Sequence, residues 1–529
     1  MRFTGAQIIL QTLAKLGLKN IFAFNDSSLK WLFAEKDQAK SLNFTFAVKP
    51  ENTIYMAQGF ARTSGLPSVV IVPAGSGSTQ ILSGLAAAYL DSLPIICITG
   101  QVHSSVLGTD AFQEVDTISM TQTCSKHNYL VKNVTDLQRI LVEAHFLATT
   151  GRPGPIVINL PIDLLEQLTE VPKDLPIAKL KGYKLVEKGH IGQIKKALDL
   201  ILQSQKPVIY CGGGAVLNRA EKDLVHFAES LQIPVAQTLT GISAFPGNHP
   251  LNLGLVGRGG SAASNMTANS ADLLICIGTR FNPHVLGQIH GFKVTSKVIH
   301  IDIDPSAIAK NTHVDVPIVG DAKDALIQIL NLAKDRKSEL KLLRDALKPW
   351  HQQILAWQKE YHNPADEKTF NIKNIMQSLS RITNHDAIIT CSDENLSLRI
   401  AQNYAFSHEG HWCPTGGIEV FGFALAAAIG AQKANPQKTI FAVMSLKYLV
   451  MNPAELLTLQ YEKLPIRIIL LQNEGEKYIP VGIKLEEWIQ AYGLGYSHCE
   501  QLKTFESQIK KHQASQKAYV FDCENPTSI

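Results

Sequence analysis

Two stretches of this chain carry residue types that could do chemistry on a phosphate. In the C-terminal third, Thr415-Gly416-Gly417 leads into Phe421-Gly422-Phe423-Ala424-Leu425-Ala426-Ala427-Ala428-Ile429-Gly430, followed by a strand-like Thr439 to Val443 and the turn Met444-Ser445-Leu446-Lys447. A second apolar run, Ile466 to Leu471, ends in Gln472-Asn473. Glycine-rich turns after strands let backbone N–H groups approach a phosphate, and Lys447 could add a point charge to one. Leu446 offers nothing to Mg²⁺, which is held by carboxylate and phosphate oxygens. Two readings of this turn stay open: Lys447 faces a phosphate, or Leu446 enters a core while the Lys447 stem carries its charge to water.

The second stretch is Gly212-Gly213-Gly214, directly after the strand-like Pro207-Val208-Ile209-Tyr210. It reads either as a dinucleotide loop, with backbone N–H groups open to phosphate, or as a plain tight turn.

These turns need strands and helices to aim them. Thr4 is a plausible N-cap for a helix through Leu16, and Ile21 to Phe24 reads as a strand. Ser68 to Pro73 is another strand, ending in the small-residue loop Ala74 to Thr79, with a helix from Gln80 to Tyr89 and a buried strand from Pro94 to Gly100. The same alternation resumes near Pro207 and again after Ile372, as expected for doubly wound parallel sheets. The expected fold is α/β, with three consecutive open domains at 1–165, 186–335 and 366–529. A polar linker falls at 166–186 and a charged helical connector at 335–365.

A chain of 529 residues is too long for one core. Its 45% hydrophobic and 18% charged content is that of a globular protein. A formal net charge of +4 provides no basic stripe, which argues against nucleic acid as a partner. The eight cysteines show no C-x-x-C spacing, so a reducing, cytoplasmic setting is expected. No run reaches the ~20 apolar residues that cross a bilayer, so no membrane role is expected.

Longer motifs narrow the reading. Ile98 to Val102, Leu107 to Glu114, Ser125 to Val131 and Thr149 to Pro155 closely resemble the catalytic subunit of acetolactate synthase, within the thiamine diphosphate (ThDP) enzyme superfamily. Ala271 to Ile275, Gly278 to Phe281, Val298 to Pro305 and Val316 to Ala322 extend the likeness through the middle of the chain. The resemblance implies decarboxylation of a 2-oxo acid followed by carboligation. It implies ThDP and Mg²⁺ held by Gly416, Gly417, Phe421, Ser445, Lys447, Gln472 and Asn473, with Asn473 as metal ligand, and Leu446 where the family has its metal-binding aspartate. It also implies FAD on Gly212, Gly213, Gly214, Thr238, Leu239, Gly278, Arg280, Asp302 and Asp321, and a substrate channel at Phe112, Gln113 and Lys126. Since family sites lie between subunits, a homodimer or homotetramer is expected, with an active paralogue or regulatory subunit as a further partner.

Against that pattern, the glutamate that activates ThDP falls on Pro50, which has no titratable group for proton transfer. Glu51, one residue on, is the candidate stand-in acid; as an alternative it is a surface or helix N-terminal carboxylate. Ala23-Phe24-Asn25-Asp26-Ser27 adds bulk where the family has glycines. Asp393 to Ser397 replaces a Gly-Gln-His loop, and Glu419, if buried beside a diphosphate, repels it. Two functions follow as alternatives: an acetolactate-synthase-like enzyme, or an impaired relative serving as a nucleotide-binding or partner protein.

Overall fold

The computed structural model describes residues 2–37, 39–281, 296–361, 369–472 and 484–524. Among these, three six-stranded sheets follow one another along the chain, and every neighbouring pair within each is parallel. A short antiparallel pairing of Arg2–Thr4 with Leu168–Glu170 ties together the two ends of the first unit.

The strand orders carry information about function. In the first sheet the order is Asn43–Ala47, Asn20–Phe24, Ser68–Val72, Ile95–Gln101, Ile156–Pro161, His127–Leu130. The third sheet repeats this topology with Trp412–Pro414, Ile388–Cys391, Ile440–Ser445, Arg467–Gln472, Tyr519–Glu524, Gly495–Cys499. The central sheet instead runs Asn252–Leu255, Val235–Gln237, Pro207–Cys211, Leu273–Ile277, Lys297–Asp302, Val316–Val319, the order of a dinucleotide-binding fold. In such sheets ligands bind beyond the carboxyl ends of the strands, where the chain reverses its direction of winding.

Local signals explain the elements. Thr4 caps the helix Gly5–Lys15 in a capping box with Gln7, as its position before the apolar pattern suggests. Strands such as Ser68–Val72 and Leu273–Ile277 are buried throughout, since helices cover both faces. The charged segment after Asp335 forms helices Lys337–Ala346 and Lys348–Glu360, and Leu343, Leu347, Trp350 and Ile354 seat them on the central core. Its apolar stripe makes it part of that domain, beyond the role of connector that its charge suggests.

The outer domains pack on one another through helices Pro50–Ser64 and Phe423–Ala434. A Cβ at Gly59 would lie 2.0 Å from the Ala427 carbonyl oxygen, and one at Gly430 1.8 Å from that of Met56. One apolar cluster accordingly runs from Phe22 and Val70 of the first domain to Ile440 and Leu470 of the third. No described helix is long and apolar enough to cross a membrane.

Candidate functional site

Strands Ile388–Cys391 and Ile440–Ser445 are neighbours at the reversal point of the third sheet. Beyond the first, Asp393 caps helix Glu394–Asn403 by accepting the Leu396 N–H at 3.0 Å. Beyond the second, Ser445 opens the short helix Leu446–Met451. Leu446 is only 4% exposed and belongs to the apolar cluster shared with the first domain. Its isobutyl group takes the core reading, and no carboxylate stands at this point.

Glu419 is exposed, so the condition of burial beside a diphosphate is not met in this structure. One of its oxygens accepts the Tyr448 hydroxyl and the Glu394 N–H, the latter at 3.3 Å. A carboxylate therefore already lies at the start of the Glu394 helix, where an anionic ligand would otherwise sit. With Asp393 and Glu394 nearby, the region is acidic, and Arg258 is ion-paired to Glu394. The Lys447 ammonium lies 5.9 Å from the Tyr448 ring centroid. Phe421 is 53% exposed and tilts against the same ring at 5.8 Å.

The glycines here serve packing. Gly416 donates its N–H to Asp91 at 3.0 Å, and its missing Cβ would lie 2.2 Å from Thr240 Cγ2. A Cβ at Gly417 would meet Leu90 at 2.5 Å. Gln472 donates its side-chain amide to Asp522. Asn473 lies outside the described residues.

At the reversal point of the first sheet, a cavity of about 460 Å³ is bordered by Phe24, Asp26, Pro50, Gln101, Phe112 and Gln113. Pro50 is the first residue of helix Pro50–Ser64, a position where its missing N–H costs nothing. Glu51 is in the same first turn but does not border the cavity; its carboxylate pairs with Lys49 at 3.1 Å. Gln113 accepts the Ser76 N–H at 3.3 Å, while Phe112 is 91% exposed. Lys126 is elsewhere, its ammonium held by the carbonyls of Leu147 (2.6 Å) and Thr150 (2.7 Å) and by the Tyr183 hydroxyl (2.9 Å). It closes the C-terminus of helix Leu137–Thr149.

The central sheet faces a cavity of about 600 Å³. Gly212, Gly213, Gly214, Thr238, Leu239, Gly278, Arg280, Asp302 and Asp321 all border it. Two of the three triplet N–H groups are already used: Gly212 donates to Ile277 O at 2.9 Å and Gly214 to Gly278 O at 3.0 Å. The triplet lets two loops touch, since a Cβ at Gly212 would lie 2.3 Å from the Gly278 oxygen and one at Gly214 2.7 Å from Gly278 Cα. Gly278 itself has φ +57°. Thr238 and Asp321 accept the backbone N–H groups of Gly241 (3.2 Å) and Asp324 (3.1 Å). Arg280 donates to Leu90 O at 2.6 Å. Burial pushes the Asp302 carboxyl up to about 6.

Two buried groupings, one on the wall of this cavity and one between the outer domains, escaped the sequence. Arg62 and Asp91, both buried, form an ion pair at 2.6 Å on its wall, and Arg62 Nε and Asp91 Oδ1 are buried without a hydrogen-bond partner. Glu455, fully buried, accepts the N–H groups of Val48 (3.1 Å) and Lys49 (3.3 Å) and the Asn52 amide (2.7 Å), joining the third domain to the start of helix Pro50–Ser64. Burial raises its carboxyl, and these donors hold it back. Each pair is far apart in the chain, so only an acid inside an apolar pattern could have flagged them.

Comparisons with known proteins agree with this layout. Residues 3–120 match the N-terminal TPP binding domain of thiamine pyrophosphate enzymes, 194–329 their central domain and 395–523 their C-terminal TPP binding domain. The chain is 33% identical over 506 residues to the acetolactate synthase isozyme 3 large subunit of Escherichia coli, covering 95% of this chain and 87% of that protein. The large subunit from Buchnera aphidicola subsp. Schizaphis graminum is 35% identical, with 89% and 82% covered. The chloroplastic acetolactate synthase of Arabidopsis thaliana is 36% identical, with 89% and 70% covered. Three matched domains in order, on three sheets with the expected reversal points, place this chain in the thiamine pyrophosphate enzyme family, among proteins similar to acetolactate synthase large subunits.

Proposed function

We propose that this chain keeps the scaffold and the dinucleotide cavity of its relatives but has given up thiamine diphosphate chemistry, and that it works as a nucleotide-binding partner protein. The observation that carries this reading is Leu446, a buried core side chain at the point where a Mg²⁺–diphosphate pair requires a carboxylate. Glu419 at the start of the Glu394 helix adds a negative charge where a diphosphate would need donors. Pro50 borders the first-domain cavity at the position where the family pattern has its activating glutamate, and Glu51 is paired with Lys49 outside that lining. Among the described residues, this set does not fit ThDP with Mg²⁺.

The central cavity does fit an FAD-type dinucleotide. Its roughly 600 Å³ falls in the range of small-molecule sites. Asp302, Asp321 and Arg280 line it and supply acceptors and a cation, and the orphaned Asp91 oxygen is open to an N–H donor, which supports this reading. FAD would bring a redox-active ring to this wall; the protein groups named here would hold and orient it.

The same reading assigns exposed Phe112 and Phe421, with Tyr461 at 82% exposure, to a subunit interface in a homodimer or homotetramer, or with an active relative. Absorbance of the purified protein tests the proposal. Bound flavin with no ThDP-dependent loss of pyruvate is the expected result; pyruvate turnover that requires ThDP and Mg²⁺ would reject it.

A further inference from the structure

At the far edge of the third sheet, strands Gly495–Cys499 and Tyr519–Glu524 run parallel, with His498 opposite Asp522 and Cys499 opposite Cys523. Alternate residues of a strand share a face, so His498, Glu500, Asp522 and Glu524 converge at the carboxyl ends. The His498 Nε2 atom lies 3.3 Å from a Glu500 oxygen and 3.3 Å from a Glu524 oxygen, and all three atoms are within 4.8 Å of one another. From these distances we infer that His498, Glu500 and Glu524 form a site for a divalent transition metal, with Zn²⁺ as the ion that suits it best.

Three observations carry the inference. Zinc bonds to imidazole nitrogen and carboxylate oxygen of about 2.05 Å give a tetrahedral edge of about 3.3 Å. Both nitrogen–oxygen separations match that edge, so an ion could enter with small side-chain adjustments. The imidazole is also already aimed. Its Nδ1 lies 3.2 Å from Asp522 Oδ2, and that carboxylate is buried and fixed by the Tyr496 hydroxyl at 2.7 Å and the Gln472 amide. An imidazole that donates from Nδ1 to a fixed carboxylate presents its Nε2 lone pair to a metal, the usual supporting arrangement of a zinc histidine. Finally, three carboxylates gather around one imidazole, and among the described residues no lysine or arginine pairs with Glu500 or Glu524. A divalent cation offsets that charge, while its nitrogen ligand disfavours Mg²⁺ and Ca²⁺. Three protein donors leave a fourth position for water or an external ligand.

The site is independent of the ThDP and dinucleotide readings. Titration of the full chain with Zn²⁺ at pH 7.5, followed by calorimetry, tests it, with Co²⁺ absorption as a second probe of nitrogen and oxygen ligation. The expected result is one strong equivalent per chain, weakened at least about tenfold in His498→Ala and in Glu524→Gln. Glu524→Gln changes an exposed group and keeps its shape, so it decides the matter if His498→Ala does not fold. Absence of zinc uptake by the parent chain, or equal affinity in parent and folded variants, would overturn the inference.

Discussion

Tyr448 donates its hydroxyl hydrogen to the Glu419 oxygen that also accepts the Glu394 N–H. The bond joins the short helix after strand Ile440–Ser445 to the glycine segment and to the start of helix Glu394–Asn403. It holds an exposed carboxylate of the protein's own at the start of that helix, in the place open to an anion in this kind of fold. Replacing Tyr448 with Phe removes the donor and leaves Glu419 to water. A loss of about 1 kcal/mol in urea unfolding is expected, with no gain of ThDP binding, because Leu446 is unchanged.

The buried Arg62–Asp91 pair behaves differently. Both side chains are almost inaccessible, and Asp91 also receives the Gly416 N–H. Asp91→Ala strands a buried guanidinium, and a loss of about 3–5 kcal/mol is expected. Chemical denaturation measures it; a loss below about 1 kcal/mol would mean that the pair is solvated.

Gly430 and Gly59 set the spacing between the outer domains. Alanine at Gly430 puts a methyl group 1.8 Å from the Met56 oxygen, so the helices must separate. Thermal unfolding of Gly430→Ala is expected to show a loss of about 3 kcal/mol or an insoluble product, whereas Gly17→Ala, with nothing within 4 Å but φ +76°, should stay folded with a smaller loss.

Asp302 imposes a pH dependence on the ligand-free chain. Its folded-state value of about 6 lies above the ordinary 3.8. The folded chain therefore keeps a proton that the unfolded chain releases, and the associated stability, complete below the lower value, is lost as pH rises through the upper one. Asp302→Asn keeps the acceptor for the Asp304 N–H. It should gain up to about 3 kcal/mol over the parent at pH 8 and nothing at pH 3.5, as read by unfolding across pH.

Much of the architecture was readable in the sequence because strand and helix periods are local. Thr4 before an amphipathic run, the apolar strand that begins at Ser68 and the glycines at 212–214 all declare themselves within a few residues. Glu419 did not: the hydroxyl that it accepts belongs to Tyr448, 29 positions later. Lys126 matched a channel motif, yet its ammonium is engaged by carbonyls from a neighbouring helix end. The His498-x-Glu500 spacing shows a shared strand face, but Glu524 joins it only through the register of a parallel neighbour. Such groupings are set by sheet order, which local propensity does not encode.

Calorimetric titration of ThDP in the presence of Mg²⁺ reads out the proposed loss of a metal anchor at Leu446. No saturable Mg²⁺-dependent binding to the parent chain is expected, and measurable binding once Leu446→Asp and Pro50→Glu are introduced together. Tight, Mg²⁺-dependent ThDP binding by the unaltered chain would contradict it.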